Sequence, residues 1–112
     1  MFDAMKNLAN LPGIMAKARE MQEKMKAVQE EMARRHVSAD AGGGMVEATV
    51  NGKLELVKVR IDKSRVDPND MEMIEDLLVA AVNAAQTKAA TMVQSEMQKV
   101  TAELGLPPGM LP

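Results

Sequence analysis

From residue 71 to residue 104 the chain contains neither Gly nor Pro, and this uninterrupted run limits its fold more than any other feature. Met71, Ile74, Leu78, Ala81, Ala85, Ala89, Met92, Val93, Val100 and Leu104 recur at helical spacing, which predicts one long helix with a single apolar stripe. Asp67 suits its N-cap, Pro68 its first position and Asp70 the capping-box acid. Glu72, Glu75 and Asp76 complement the positive helix start, so these acids read as capping and solvation. Gly105 suits the C-terminal stop. The helix should run from about Pro68 to Leu104, roughly 55 Å.

A second helical pattern comes earlier. Leu11, Ile14, Ala18, Met21, Met25, Val28 and Met32 are spaced alternately by three and four residues, the signature of a heptad seam. This predicts a helix over residues 13–35, roughly 35 Å long, with Glu20–Lys24 and Glu30–Arg34 as supporting i,i+4 pairs. Residues 1–12 form an N-terminal tail or short helix ended by Pro12-Gly13, and residues 105–112 an extended C-terminal tail. Residues 13–104 are then a single α-β-α domain.

Between the helices, residues 36–62 read as three short strands. His36 to Ala41 forms the first, and the Gly42-Gly43-Gly44 run turns the chain. A phosphate loop would need a strand before the glycines and a helix after them, and here a strand follows. Val46, Ala48 and Val50 alternate with Glu47 and Thr49. Asn51-Gly52 is a two-residue hairpin signal, which pairs Val50 with Lys53 and Val46 with Val57, with positive φ at both turn residues. One face collects Val46, Ala48, Val50, Val57, Val59 and Ile61. Met45, Leu54 and Leu56 fall on the other face among Glu47, Thr49, Lys58 and Arg60, an apolar patch suited to a partner.

The fold class is therefore α+β: long N-terminal helix, three-stranded antiparallel sheet, long C-terminal helix. A compact chain of this size has a radius of gyration near 13 Å, and helices of these lengths must protrude from such a body. A homodimer is the economical way to cover them, with Met45, Leu54 and Leu56 as its interface.

With one Phe and no Tyr or Trp, the core must be aliphatic and Met-rich, and reading of single strands by aromatic stacking is not expected. Cys is absent, which removes disulfides, thiolate metal sites and Cys nucleophiles. The single His36 and residues Ser38, Ser64 and Ser95 form no catalytic motif, so no enzyme, metal or cofactor is expected. The start "MFDAMKNLANLPG" lacks the basic-then-apolar order of a secretory signal, and no apolar run reaches membrane-spanning length; a cytoplasmic location follows. The net charge of −2 hides an asymmetry: residues 1–35 hold seven basic and five acidic residues, residues 66–112 two and seven.

Several stretches resemble the YbaB/EbfC family of bacterial nucleoid-associated proteins: "MQEKM", "QEEMA", "GGGMVEATVNG", "VRID", "EMIEDLLVAAVNAA" and "GLPPGM". Together they span nearly the whole chain. The resemblance implies a tweezer-like homodimer that binds double-stranded DNA through its helical arms, acting at the nucleoid with architectural or regulatory effect. The basic rows suited to phosphates are Lys17 with Lys24 and Arg19 with Lys26, each pair one heptad apart, joined by Lys88 and Lys99 of the second helix. Lys58, Arg60, Lys63 and Arg65 around the sheet are the fallback surface. The alternative is a protein-interaction clamp or scaffold working with recombination or replication factors, its Met-rich seams gripping a partner helix.

Overall fold

A computed structural model describes residues 9–105. Its elements are α1 (Leu11–Arg34), β1 (His36–Ala41), β2 (Val46–Asn51), β3 (Leu56–Ile61) and α2 (Met71–Glu103). The strands form one antiparallel sheet in the order β1-β2-β3, so the α+β class and the helix–sheet–helix order are as expected. The N-terminal segment before residue 9 and the tail after Gly105 lie outside the described residues.

The molecule is a rod. Its extents are 76 × 20 × 18 Å and its radius of gyration is 21.5 Å, against about 13 Å for a compact chain of this length. The cause is helix length. α2 has 33 residues and α1 has 24, or about 50 Å and 36 Å, whereas the six-residue strands span only about 20 Å.

The core joins α2 to the sheet. Val46, Ala48 and Val50 of β2 and Ala81, Ala85 and Ala89 of α2 are all 0% exposed. The three alanines lie four residues apart and form one ridge. Lacking bulk beyond Cβ, the ridge lets the helix lie close on the strands, and a core without aromatic residues can still be dense. Val37, Ala39 and Ala41 of β1 pack beside them. α2 packs on β1 and β2 but gives β3 no comparable cover, and Val57 and Val59 of β3 remain 48% and 36% exposed.

The β2–β3 hairpin differs from the two-residue turn that Asn51-Gly52 suggests. Val46 pairs with Ile61, Ala48 with Val59 and Thr49 with Lys58, after which a register shift sets Leu56 opposite Val50. Val46 therefore does not meet Val57, nor Val50 Lys53. The loop is longer and is organised by Asn51. Its Oδ1 accepts from the backbone N–H groups of Lys53 (2.9 Å) and Glu55 (3.1 Å), and its Nδ2 donates to Glu55 Oε1 at 3.0 Å. The left-handed residue is Leu54, at φ 63°, not Asn51 or Gly52. The shift also breaks the alternation on which the outward placement of Leu56 rests.

Gly52 serves a different purpose. Its N–H donates to the Met32 carbonyl at 2.9 Å. A Cβ at this position would lie 2.5 Å from the Met32 carbonyl oxygen and 2.6 Å from the Met32 Cβ. Only a residue without a side chain lets the end of α1 seat on the hairpin loop, and Met32 is buried there, 2% exposed.

The helix ends also differ from expectation. α2 starts at Met71, not Pro68, and its N-cap is Asp70, which accepts from the Met73 N–H at 3.2 Å. Asp67 instead organises the preceding turn, accepting from the Asn69 N–H at 2.9 Å. One carboxylate thus holds the turn and the next caps the helix. α1 begins at Leu11 and carries Pro12 within its first turn, where the missing N–H costs nothing. At the opposite end of the sheet Gly42, Gly43 and Gly44 have φ of 65°, 65° and 92°. Arg65 braces this turn by donating to the Gly43 carbonyl at 2.6 Å.

Candidate nucleic-acid interface

The candidate interface is the arm formed by α1 and the second half of α2, which run antiparallel beyond the sheet. Two ion pairs fix their register. Arg35 Nη1 lies 3.0 Å from Glu96 Oε1 near the root, and Lys24 Nζ lies 2.6 Å from Glu103 Oε2 near the end of α2. Between them Met25 and Val28 are half-buried and Val100 is buried; just beyond the Lys24–Glu103 pair, Met21 is half-buried and Leu104, the C-cap of α2, is buried. Both pairs are solvent-accessible, so each contributes little to stability; they set register more than they hold the arm shut.

The ion pairs perturb titration in the expected directions. The hydrogen bond from Arg35, reinforced by Lys99, holds the Glu96 carboxyl below its usual range. The hydrogen bond and charge of Glu103 raise the Lys24 ammonium. At the far end of the sheet the Ser64 hydroxyl, donating at 2.5 Å, lowers the Asp62 carboxyl.

Beyond Glu103 α1 outruns the described part of α2. Residues 11–20 are all exposed, including Leu11 at 47%, Ile14 at 57% and Met15 at 52%. The six expected phosphate-binding cations divide accordingly. Lys24 pairs with Glu103, Lys88 donates to the Ser38 carbonyl at 3.0 Å, and Lys99 lies 3.4 Å from Glu96. Lys17, Arg19 and Lys26 have no ion-pair partner among the described residues. The acidic residues Asp70, Glu72, Glu75 and Asp76 start α2 beneath the far end of the sheet, away from the arm.

The residues assigned to a partner surface are also split. Leu54 and Leu56 are 44% and 49% exposed. Met45 is half-buried, and its Cε sits with Leu77 of α2 against Gly42, where an added Cβ would lie 2.7 Å from it. Two features of the arm have no sequence motif of their own: the Arg35–Glu96 pair, 61 residues apart, and the seating of Met32 on Gly52.

The scaffold is thus an elongated α+β body with a helical arm, on which Lys17, Arg19 and Lys26 lack an ion-pair partner among the described residues. Residues 5–104 match the YbaB/EbfC DNA-binding family, and the chain belongs to it. A nucleoid-associated protein of Paramagnetospirillum magneticum is 50% identical over 105 residues, covering 94% of this chain and 95% of its own. One from Gemmatimonas aurantiaca is 52% identical over 89 residues, covering 80% and 86%. Among solved structures, the uncharacterized protein HP0035 from Helicobacter pylori is similar at a TM-score of 0.55 and 25% identity, covering 75% of this chain and 93% of that one. The family is one of nucleoid-associated DNA-binding proteins, which is not an enzyme class. No helix among the described residues is long and apolar enough to cross a membrane.

Proposed function

We propose that this chain binds double-stranded DNA at the nucleoid as a homodimer, largely through phosphate contacts from the α1 arm, with an architectural or regulatory effect. The observation that carries this reading is the set of α1 cations with no ion-pair partner among the described residues. Lys17 and Arg19 lie on the segment that outruns α2, and Lys26 continues the Arg19 row one heptad on. Phosphate contacts need cations at suitable spacing and transmit no sequence information. Lys24, Lys88 and Lys99 join from within weak, exposed contacts that a phosphate can replace at low cost. The acidic start of α2 faces away from the duplex.

The dimer reading is supported by β3, an edge strand that exposes Leu56, Val57 and Val59, and by the loop before it, which exposes Leu54. An open apolar edge of this kind is a template for another chain, and we place the interface there, with Met45 at its margin. Leu54→Glu with Leu56→Glu should shift sedimentation at micromolar concentration from dimer to monomer; a monomeric wild type would refute the dimer.

The test of DNA binding is a gel-shift titration with unrelated duplexes across a salt series. Replacing Lys17, Arg19 and Lys26 by Gln should weaken binding to every duplex alike. The slope of log affinity against log salt should flatten by about 0.9 for each lost phosphate contact. Undiminished binding by the folded variant would transfer the interface to Lys58, Arg60, Lys63 and Arg65. A partner-helix clamp would instead show binding that resists salt.

A further inference from the structure

The overhanging part of α1 does not merely carry cations; it arranges them. At about 100° per residue, Leu11, Ile14, Met15 and Ala18 share one stripe. Lys17 lies about a quarter turn to one side of this stripe and Arg19 about a quarter turn to the other. Glu20 lies on the opposite face, and residues 9–19 contain no acid. Lower on the helix the same stripe is half-buried at Met21, Met25 and Val28, and Met32 seats on Gly52. Along the overhang no described residue of α2 covers the stripe, and Leu11 is 47%, Ile14 57% and Met15 52% exposed.

An apolar ridge with a cation on each flank fits a groove whose floor is apolar and whose two walls are anionic. A kinked DNA minor groove takes this form: about 6 Å wide at rest and too narrow for a helix about 10 Å across, it opens where a base step unstacks, exposing apolar base faces between walls of phosphate. Proteins that bind there commonly wedge Leu, Ile or Met between base pairs and kink the duplex. We propose that the α1 overhang enters the minor groove with its stripe inward, that Ile14 and Met15 press into a base step, and that Lys17 and Arg19 hold the phosphates on either side. This deepens the DNA-binding reading above and rests on it. It supplies the physical route to an architectural effect, because the kink is produced by side chains that add no charge. Flexible pyrimidine–purine steps such as TA and CA should be favoured, since they unstack most cheaply.

The test separates charge from wedge. The full-length protein is titrated against a duplex carrying 2-aminopurine beside a central TA step and a fluorophore pair at its ends. Binding of the wild type should shorten the end-to-end distance and raise 2-aminopurine emission. Ile14→Ala with Met15→Ala lies on an exposed face and should leave the helix content unchanged. It should bind with an unchanged salt slope, yet leave the duplex straight and the probe quenched. Lys17→Gln with Arg19→Gln should lose affinity at least tenfold but bend the DNA it does bind at saturation. A straight duplex under bound wild type, or full bending by the double-Ala variant, would overturn the wedge while leaving phosphate binding intact. A smaller oligomer of the double-Ala variant by sedimentation, with bending unaltered, would assign the stripe to a second copy of the chain. Absence of any salt-sensitive binding would remove the underlying reading and this proposal with it.

Discussion

Met32 and Ile14 belong to the same heptad seam of α1, yet one is 2% exposed and the other 57%. Nothing in the repeat distinguishes them. What differs is the cover: the hairpin loop lies against the helix at Met32, Met21, Met25 and Val28 are half-buried, and no described residue buries Leu11 or Ile14. A periodic apolar face specifies a helix and the side it offers. It does not specify whether the chain itself supplies the cover. In the lower half of α1 the seam is a structural element, and in the upper half no described residue buries it.

The same substitution should therefore act differently in the two halves. Met32→Ala removes a buried side chain and should destabilise by about 2–4 kcal/mol, read from urea melts, whereas Ile14→Ala should leave the urea midpoint within experimental error. A large loss at Ile14 would mean that its face is covered within the fold. The glycines sharpen the contrast. Gly52→Ala sets a Cβ 2.5 Å from a backbone oxygen that no rotamer change can move, and should cost about 1–3 kcal/mol. Gly13→Ala meets nothing within 4 Å and replaces a poor helix former, so it should stabilise by up to about 1 kcal/mol. Equal effects would erase the distinction between a seated root and a free tip.

The smallest effect is that of pH. Glu96 has a depressed pKa in the folded arm, so its contribution is complete above the ordinary carboxylate range and is lost as pH falls through its lower folded value. Lys24 has a raised pKa, so its contribution is complete below the ordinary lysine range and is lost as pH rises through its higher folded value. Arm closure, read by amide exchange at Val28 and Val100, should be flat around neutrality and loosen only in acid or strong alkali. A change near neutrality would assign control to another group.

The two long helices and the antiparallel sheet are legible in the sequence because burial on one face imposes a period that needs no tertiary knowledge. The hairpin register is not, and the reason lies in three residues. Asn51-Gly52 resembles a tight turn, but Asn51 spends its side chain organising a longer loop. Gly52 is needed for the space its missing Cβ leaves to Met32, not for positive φ. Leu54 takes the left-handed conformation, which no leucine advertises. The start of α2 shifts for a related reason: Asp67 and Asp70 are both good caps, and packing decides between them. The cations of the arm are visible in the sequence as rows, but which of them are engaged depends on Glu96, Glu103 and the Ser38 carbonyl, all distant along the chain.

The contact between Gly52 and Met32 also makes α1 a lever. The helix is fixed at its root and extends about 36 Å, so a tilt of about 5° at the root carries the far end through about 3 Å, the length of a hydrogen bond. Whatever the arm touches is thus read through the stiffness of a joint in the sheet. Substitutions at that joint, which meet no phosphate, should alter which spacings of charge the arm can span.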